Sequence, residues 1–316
     1  MIKNPLPIAM MFAIVIFFWS CMPKHDPAAP LNDLVAQIKK QYAPDKRTAL
    51  FEVHAITMGD EIVIKGESNL LLAVSELKWR LTSENILFLD SIRPLPGSDL
   101  NGKAKGLVTL SVANLRSQPA HSAELATQAI LGTPLNILKK EGDWSLVQTP
   151  DQYLAWVDAG GIFDLSETDF QKWKSADKVI YTQLNGNAYS EPNERSQVVC
   201  DLVAGAILEK TNESEDFYSV TLPDGRQAFV SRMQSQDYDH WAQALEPTEE
   251  SLVTTALTMM GLPYLWGGTS PKGVDCSGFT KTIYFLNGQI IPRDASQQVR
   301  TGIPIDSSRS FENLQK

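Results

Sequence analysis

Gly261-Leu262-Pro263-Tyr264-Leu265-Trp266-Gly267-Gly268, followed shortly by Gly273-Val274-Asp275-Cys276-Ser277-Gly278-Phe279, decides how the last part of this chain is read. Glycine-rich sequence precedes Cys276, and a largely apolar run, residues 279–286, follows it. Turn residues leading into a helix-compatible run put Cys276 at or near a helix N-terminus. A free thiol titrates at about 8.5 and is a weak nucleophile when protonated. At a helix N-terminus the dipole and the unpaired N–H groups favour the thiolate. Gly278 leaves room there for close packing or for a substrate. A lone cysteine is more often a small buried core residue; the surrounding pattern is what makes Cys276 a candidate nucleophile.

Outward from this stretch, residues 249–260 have helical apolar spacing at Leu252, Val253, Ala256, Leu257 and Met260. Residues 237–250 are polar and acidic and read as a linker. A thiolate–imidazole pair needs a histidine. The four histidines, His25, His54, His121 and His240, all precede Cys276. Their plainer readings are tether, strand, turn and linker.

Residues 105–236 contain an internal repeat at an offset of 73. Pro119 falls on Pro192, Gly132 on Gly205, Leu135 on Leu208, Trp144 on Phe217 and Val147 on Val220. Ala155-Trp156-Val157 falls on Ala228-Phe229-Val230. Each copy reads as short strands and turns, hence two small barrels, 105–165 and 177–236, joined by a helical connector over 166–176 with Ser166 as N-cap. Residues 31–104 read as a small α/β domain: a helix from Leu31, Leu34, Val35 and Ile38, two alternating strands around Met58-Gly59-Asp60, a second helix and a further strand. No chemistry is evident there.

The chain has 316 residues and a net charge of −9, which disfavours nucleic acid as a partner. No cofactor is implied, and no CxxC pair or close His/Cys cluster suggests a metal. Lys3 and the apolar run 8–19 read as an export signal too short for a membrane span. Ser20-Cys21 at its end resembles a bacterial lipoprotein signal. That resemblance implies cleavage after residue 20, lipidation of Cys21, a Pro/Ala-rich tether over 22–30 and an exported, membrane-anchored location.

The fixed-spacing elements around Cys276, with Leu286-Asn287-Gly288 and Ile291-Pro292-Arg293-Asp294-Ala295-Ser296-Gln297-Gln298, closely resemble the NlpC-type family of papain-like cell-wall cysteine peptidases. Residues 251–316 would be the N-terminal part of such a domain. Val112-Ala113-Asn114-Leu115-Arg116, Gly132, Gly142-Asp143-Trp144 and Ala155-Trp156-Val157 resemble the bacterial SH3-like family. The expected fold is therefore multidomain α+β: a small α/β unit, two SH3-like barrels and a partial papain-like unit.

The resemblance implies hydrolysis of peptidoglycan stem peptides at the bond between γ-D-Glu and a diamino acid, with a free N-terminal L-Ala recognised. Tyr264 would line the site, and Asp275 and Ser277 would flank Cys276 and contact substrate. Asp294 would receive the substrate amine, with Ala295 where the family often has Ser. The first SH3-like unit would add an acid, for which Glu124 is the candidate, and an aromatic, Tyr153 or Trp156. Two carboxylates and an aromatic wall suit an ammonium. Asp294 could instead be a loop cap or pair with Arg293, and Glu124 a solvated charge. Trp156 aligns with Phe229 and also fits a barrel core, whereas Tyr153 aligns with Arg226.

In the family the catalytic histidine follows the cysteine by several tens of residues. A chain ending at Lys316 stops near the strand leading to it, so truncation, absent hydrolysis and weak stability beyond residue 250 are expected of it. The alternatives are a wall-peptide-binding lipoprotein without catalysis, or a papain-like acyltransferase. A histidine-bearing strand in the continuing reading frame separates enzyme from binding module.

Overall fold

The computed structural model of the protein describes residues 26–303. The signal segment, Cys21 and His25 lie outside the described residues. Among those described, no helix is long and apolar enough to cross a membrane.

The N-terminal unit packs two helices on a three-stranded sheet. Helix α1 (Ala29–Tyr42) starts with Pro30, tolerated in a first turn because its missing N–H has no helical partner to lose. It buries Leu31, Val35 and Ile38 at helical spacing. Residues 28–30, read from composition as the end of a tether, therefore belong to the fold, and Ala28 is fully buried. Strands β1 (Phe51–Met58) and β2 (Glu61–Ser68) pair antiparallel around Gly59, whose φ of +63° the turn requires. Helix α2 (Leu71–Ser83) carries the chain to β3 (Leu89–Pro94), which runs parallel to β2. Ile38, Phe51, Ile64, Leu77 and Leu81 form the centre of its core.

The repeat is reproduced strand for strand. The first copy consists of β4 (Lys105–Val108), β5 (Val112–Arg116), β6 (Leu125–Ile130), β7 (Pro134–Glu141), β8 (Trp144–Gln148), β9 (Leu154–Asp158) and β10 (Ile162–Leu165). Helix α3 (Glu167–Ser175) follows, with Ser166 Oγ accepting from the Asp169 N–H at 3.1 Å. The second copy consists of β11 (Lys178–Tyr181), β12 (Asn185–Tyr189), β13 (Val198–Val203), β14 (Ile207–Glu213), β15 (Phe217–Thr221), β16 (Gln227–Ser231) and β17 (Ser235–Asp237). Corresponding strands start 73 residues apart and occupy equivalent places in two seven-stranded sheets. Even the bulge recurs, between Ile137 and Lys139 and again between Lys210 and Asn212. Both strand orders are open, β10 to β6 and β17 to β13, so the barrels expected from the sequence are unclosed sheets around separate apolar cores.

The expected linker is partly helical. Asp237 caps α4 (Tyr238–Ala244) by accepting from the His240 N–H at 3.3 Å, and Tyr238 and Trp241 pack one turn apart. Polar composition hid this short helix, which has a cap and one aromatic pair but no buried residue. Helix α5 (Glu249–Thr258) is capped by Thr248. A two-stranded ribbon, β18 (Thr269–Ser270) and β19 (Gly273–Val274), leads into α6 (Cys276–Leu286), and α7 (Ala295–Gln298) closes the described chain. Met259, Val274 and Ile283 are buried here, while Leu257, Met260, Ile290 and Val299 remain exposed.

Both SH3-like units grip this last part. Gln128 Oε1 accepts from the Thr269 N–H (3.0 Å) and Ser270 Oγ (2.9 Å), and Asp201 Oδ2 accepts from Lys272 Nζ (2.7 Å) and Ser111 Oγ (2.8 Å). The two SH3-like units meet at Gly132, whose φ is +80° and where a Cβ would sit 2.0 Å from the Ile207 carbonyl oxygen. Gly132→Ala is expected to cost about 2 kcal/mol in chemical denaturation. Gly142→Ala, at φ +56° with nothing within 4 Å, should cost clearly less. Equal costs would show that conformation, not the inter-unit contact, controls Gly132.

Candidate active site

Cys276 is the first residue of α6 and is exposed. Asp275 caps the helix: its Oδ1 accepts from the Gly278 N–H (2.7 Å) and its Oδ2 from the Gly267 N–H (2.9 Å). Arg293 braces that carboxylate from below. Its Nη2 donates to Asp275 Oδ2 at 2.6 Å, and its Nη1 donates to Asp275 Oδ1 at 3.1 Å and to Ser277 Oγ at 2.8 Å. Arg293 is 2% exposed and Asp275 7%. Burial alone would raise the Asp275 carboxyl, but the guanidinium and the two N–H groups outweigh it and hold its pKa below the usual carboxylate range. Gly278 serves packing: a Cβ there would lie 1.9 Å from the Gly268 carbonyl oxygen.

This geometry bears on two expectations. The side chains of Asp275 and Ser277, expected to contact substrate, are turned inward to Arg293. Both are buried, and Ser277 Oγ, besides accepting from Arg293, donates to Asp275 Oδ1 at 3.2 Å. They fix the start of α6, because a buried carboxylate must be paired. Nor does Arg293 pair with Asp294; it turns inward to Asp275.

Asp294 is the N-cap of α7, one residue from that brace. Its Oδ2 accepts from Tyr153 Oη at 3.2 Å and from Arg47 Nη1 at 2.8 Å. Burial, and then the negative charge of Asp294, push the Tyr153 hydroxyl well above its ordinary range. Tyr153 is thus the aromatic brought to the site. Trp156 is not: it is buried with Leu95, Leu138 and Leu146, under the Lys139 ammonium 5.3 Å from its ring centre. An odd separation along an extended segment sends the two rings to opposite faces. Glu124 Oε1 accepts from Trp266 Nε1 at 2.7 Å, so it meets the chain beside Tyr264. Tyr264 is 67% exposed and bridges to Val274, directly ahead of the nucleophile turn.

Arg47, Trp266 and the role of Arg293 escape sequence reasoning. Arg47 lies in the loop between α1 and β1, where nothing local announces a partner so distant in the chain. Trp266 was visible only as part of the glycine-rich motif. Cys200, the other cysteine described, is half-buried in β13, and burial raises its thiol pKa. His121 lies 3.6 Å from an Asp158 oxygen and edge-on to Trp144, His54 is in β1 and His240 in α4. Among the described residues no histidine contact with Cys276 is found, and no three His, Cys, Asp or Glu side chains converge as metal ligands would.

Comparison with known proteins places this geometry. Residues 115–162 match the bacterial dipeptidyl-peptidase SH3 domain, and residues 261–312 match the NlpC/P60 family. Dipeptidyl-peptidase 6 of Lysinibacillus sphaericus is 31% identical over 218 residues, covering 66% of this chain and 78% of that protein. The chain belongs to the NlpC/P60 family. A γ-D-glutamyl-L-lysine dipeptidyl-peptidase of Bacillus cereus is also 31% identical, over 201 residues; this NlpC/P60 chain spans 58% of that relative's length. A crystal structure of a Bacillus cereus NlpC/P60 protein superposes with a TM-score of 0.58 at 26% identity, covering 67% of this chain and 80% of that one.

Arg293→Met would leave Asp275 buried without its counter-charge, an expected loss of about 3–5 kcal/mol at neutral pH. The Asp275 pKa is lowered by folding, so the stability it lends is present above its unfolded pKa and fades as pH falls through the lower folded value. The gap between wild type and Arg293→Met should therefore narrow as the pH drops towards and below about 4. Urea denaturation across pH measures this, and a gap that stays constant would contradict the assignment.

Proposed function

We propose that this protein is a cysteine peptidase of peptidoglycan stem peptides, cleaving after γ-D-Glu in peptides with a free N-terminal L-Ala. The observation that carries the reading is the exposed Cys276 at the capped start of α6, tied through the Asp275–Arg293 pair to an Asp294 carboxylate that already binds a cation. The names of the relatives, γ-D-glutamyl-L-lysine dipeptidyl-peptidase and dipeptidyl-peptidase 6, support the substrate class. In this reading Cys276 Sγ, as the thiolate, attacks the γ-carbonyl carbon of D-Glu. The C–N bond breaks, the diamino acid leaves as an amine after taking a proton, and a thioester remains. Water then cleaves the thioester and restores the thiol. The proton transfers call for an imidazole, which the described residues do not bring to Cys276.

The paired SH3-like units, both of which contact the ribbon ahead of Cys276, support a second reading, a wall-peptide-binding protein that does not cleave. One experiment separates them. The intact gene product is incubated with L-Ala-γ-D-Glu-diaminopimelate and the products are read by mass spectrometry. Release of L-Ala-γ-D-Glu, abolished in Cys276→Ala while peptide binding persists, is expected of the peptidase. Binding without release in the wild type would establish the non-catalytic reading.

We also propose a lipid anchor at Cys21, supported by Lys3, the apolar run 8–19 and Ser20-Cys21. Metabolic labelling with a fatty-acid analogue should mark the protein, and Cys21→Ser should remove the mark. Labelling that survives the substitution would overturn the anchor.

A further inference from the structure

The N-terminal unit reaches into the candidate amine site. Its loop between α1 and β1 carries Asp45 and Arg47, and Arg47 is the cation that Asp294 holds. Arg47 Nη1 donates to Asp294 Oδ2 at 2.8 Å and to Ser296 Oγ at 2.9 Å. The rest of the fork is anchored at home: Nε donates to Asp45 Oδ1 (2.8 Å) and Nη2 to Asp45 Oδ2 (2.7 Å). Gln297 Nε2 donates to the same Asp45 oxygen at 2.9 Å, so α7 holds both members of the pair. The loop is fixed from the other side as well, where the Leu154 N–H donates to the Arg47 carbonyl at 2.6 Å and Gln148 Nε2 to the Thr48 carbonyl at 3.0 Å. The contact is therefore built, with partners from the first SH3-like unit and the C-terminal unit.

A carboxylate oxygen that accepts from a guanidinium and from Tyr153 Oη has little capacity left for an arriving ammonium. We infer that Arg47 is a specificity-determining residue: it occupies the cation seat at Asp294 Oδ2, so that a substrate's N-terminal ammonium meets that oxygen only in competition with it. The inference deepens the stem-peptide reading and rests on it. Side chains of Arg47 and Asp294 are 32% and 27% exposed, so the pair is solvent-screened and displaceable rather than locked. The unmodified protein then shows a weak preference for a free amine, and loss of the Arg47 charge strengthens that preference.

Calorimetric binding of L-Ala-γ-D-Glu and of N-acetyl-L-Ala-γ-D-Glu to the full chain tests this. Arg47→Ala is expected to tighten binding of the free-amine dipeptide about tenfold and to leave the acetylated one unchanged. Arg47→Gln keeps a polar side chain of similar reach without the charge, should shift the preference the same way, and serves if the alanine variant unfolds. An unchanged amine preference in a folded variant, or weaker amine binding, would overturn the inference alone and make Arg47 a mere buttress of Asp294. If wild type and variants bind neither dipeptide, the stem-peptide reading falls and takes the inference with it.

Discussion

The buried pairing of Asp275 with Arg293 is the constraint on which the site depends. Ion pairs out of water are expensive, and this one is retained with nearly every lone pair used: two N–H groups, a hydroxyl and a bidentate guanidinium meet one carboxylate. What it secures is position. Asp275 precedes the nucleophile and Arg293 precedes Asp294, so one rigid pair sets both the start of α6 and the start of α7. The placement of the Cys276 sulfur relative to the Asp294 carboxylate is thus inherited from the buried pair rather than from the exposed groups themselves. Gly278 completes the arrangement by letting the first turn of α6 close on the Gly268 carbonyl.

The two SH3-like units show how one fold can be used twice with different residues. Gln128 of the first copy corresponds to Asp201 of the second, and both hold the short ribbon that leads to Cys276, one through Thr269 and Ser270, the other through Lys272. Elsewhere the copies diverge. Tyr153, which reaches Asp294, corresponds to Arg226, which pairs with Asp224 and donates to the Val199 carbonyl. Equivalent backbone positions are conserved by the sheet's hydrogen bonding, whereas side chains at the rim are free to take on separate tasks.

Periodic features were legible in the sequence and singular ones were not. The offset repeat, the alternation around Gly59 and the glycine-bordered Cys276 all reflect local rules of turn, strand and helix, and each fell where those rules put it. The open strand order was not legible, because alternation does not say whether a sheet's ends meet. The α4 helix was missed for the opposite reason: it has a cap and an aromatic pair but no buried stripe to reveal it. At the site, motif position singled out Cys276 and Asp294 but carried no sign that the side chains of Asp275 and Ser277 turn inward. Their direction is decided by Arg293, a charge whose burial no local pattern records. The repeat already set Trp156, aligned with Phe229, apart from Tyr153, but not that Tyr153, just ahead of β9, would reach Asp294.

The Arg47 contact differs in kind from the Asp275–Arg293 pair, and the difference follows from burial. A pair with both side chains about one-third exposed or less, but reached by water, contributes on the order of 1 kcal/mol. Such a contact is too weak to hold the N-terminal unit in place by itself; the packing of Leu95 on Leu138, Leu146 and Trp156 and the bonds from the Leu154 N–H and the Gln148 side chain to the Arg47 and Thr48 carbonyls share that task. It is nevertheless strong enough to alter competition at a single carboxylate, where a factor of ten corresponds to about 1.4 kcal/mol. Energies of this size leave the fold indifferent and the choice of ligand sensitive. A unit without chemistry of its own can in this way govern which peptide termini a distant nucleophile meets.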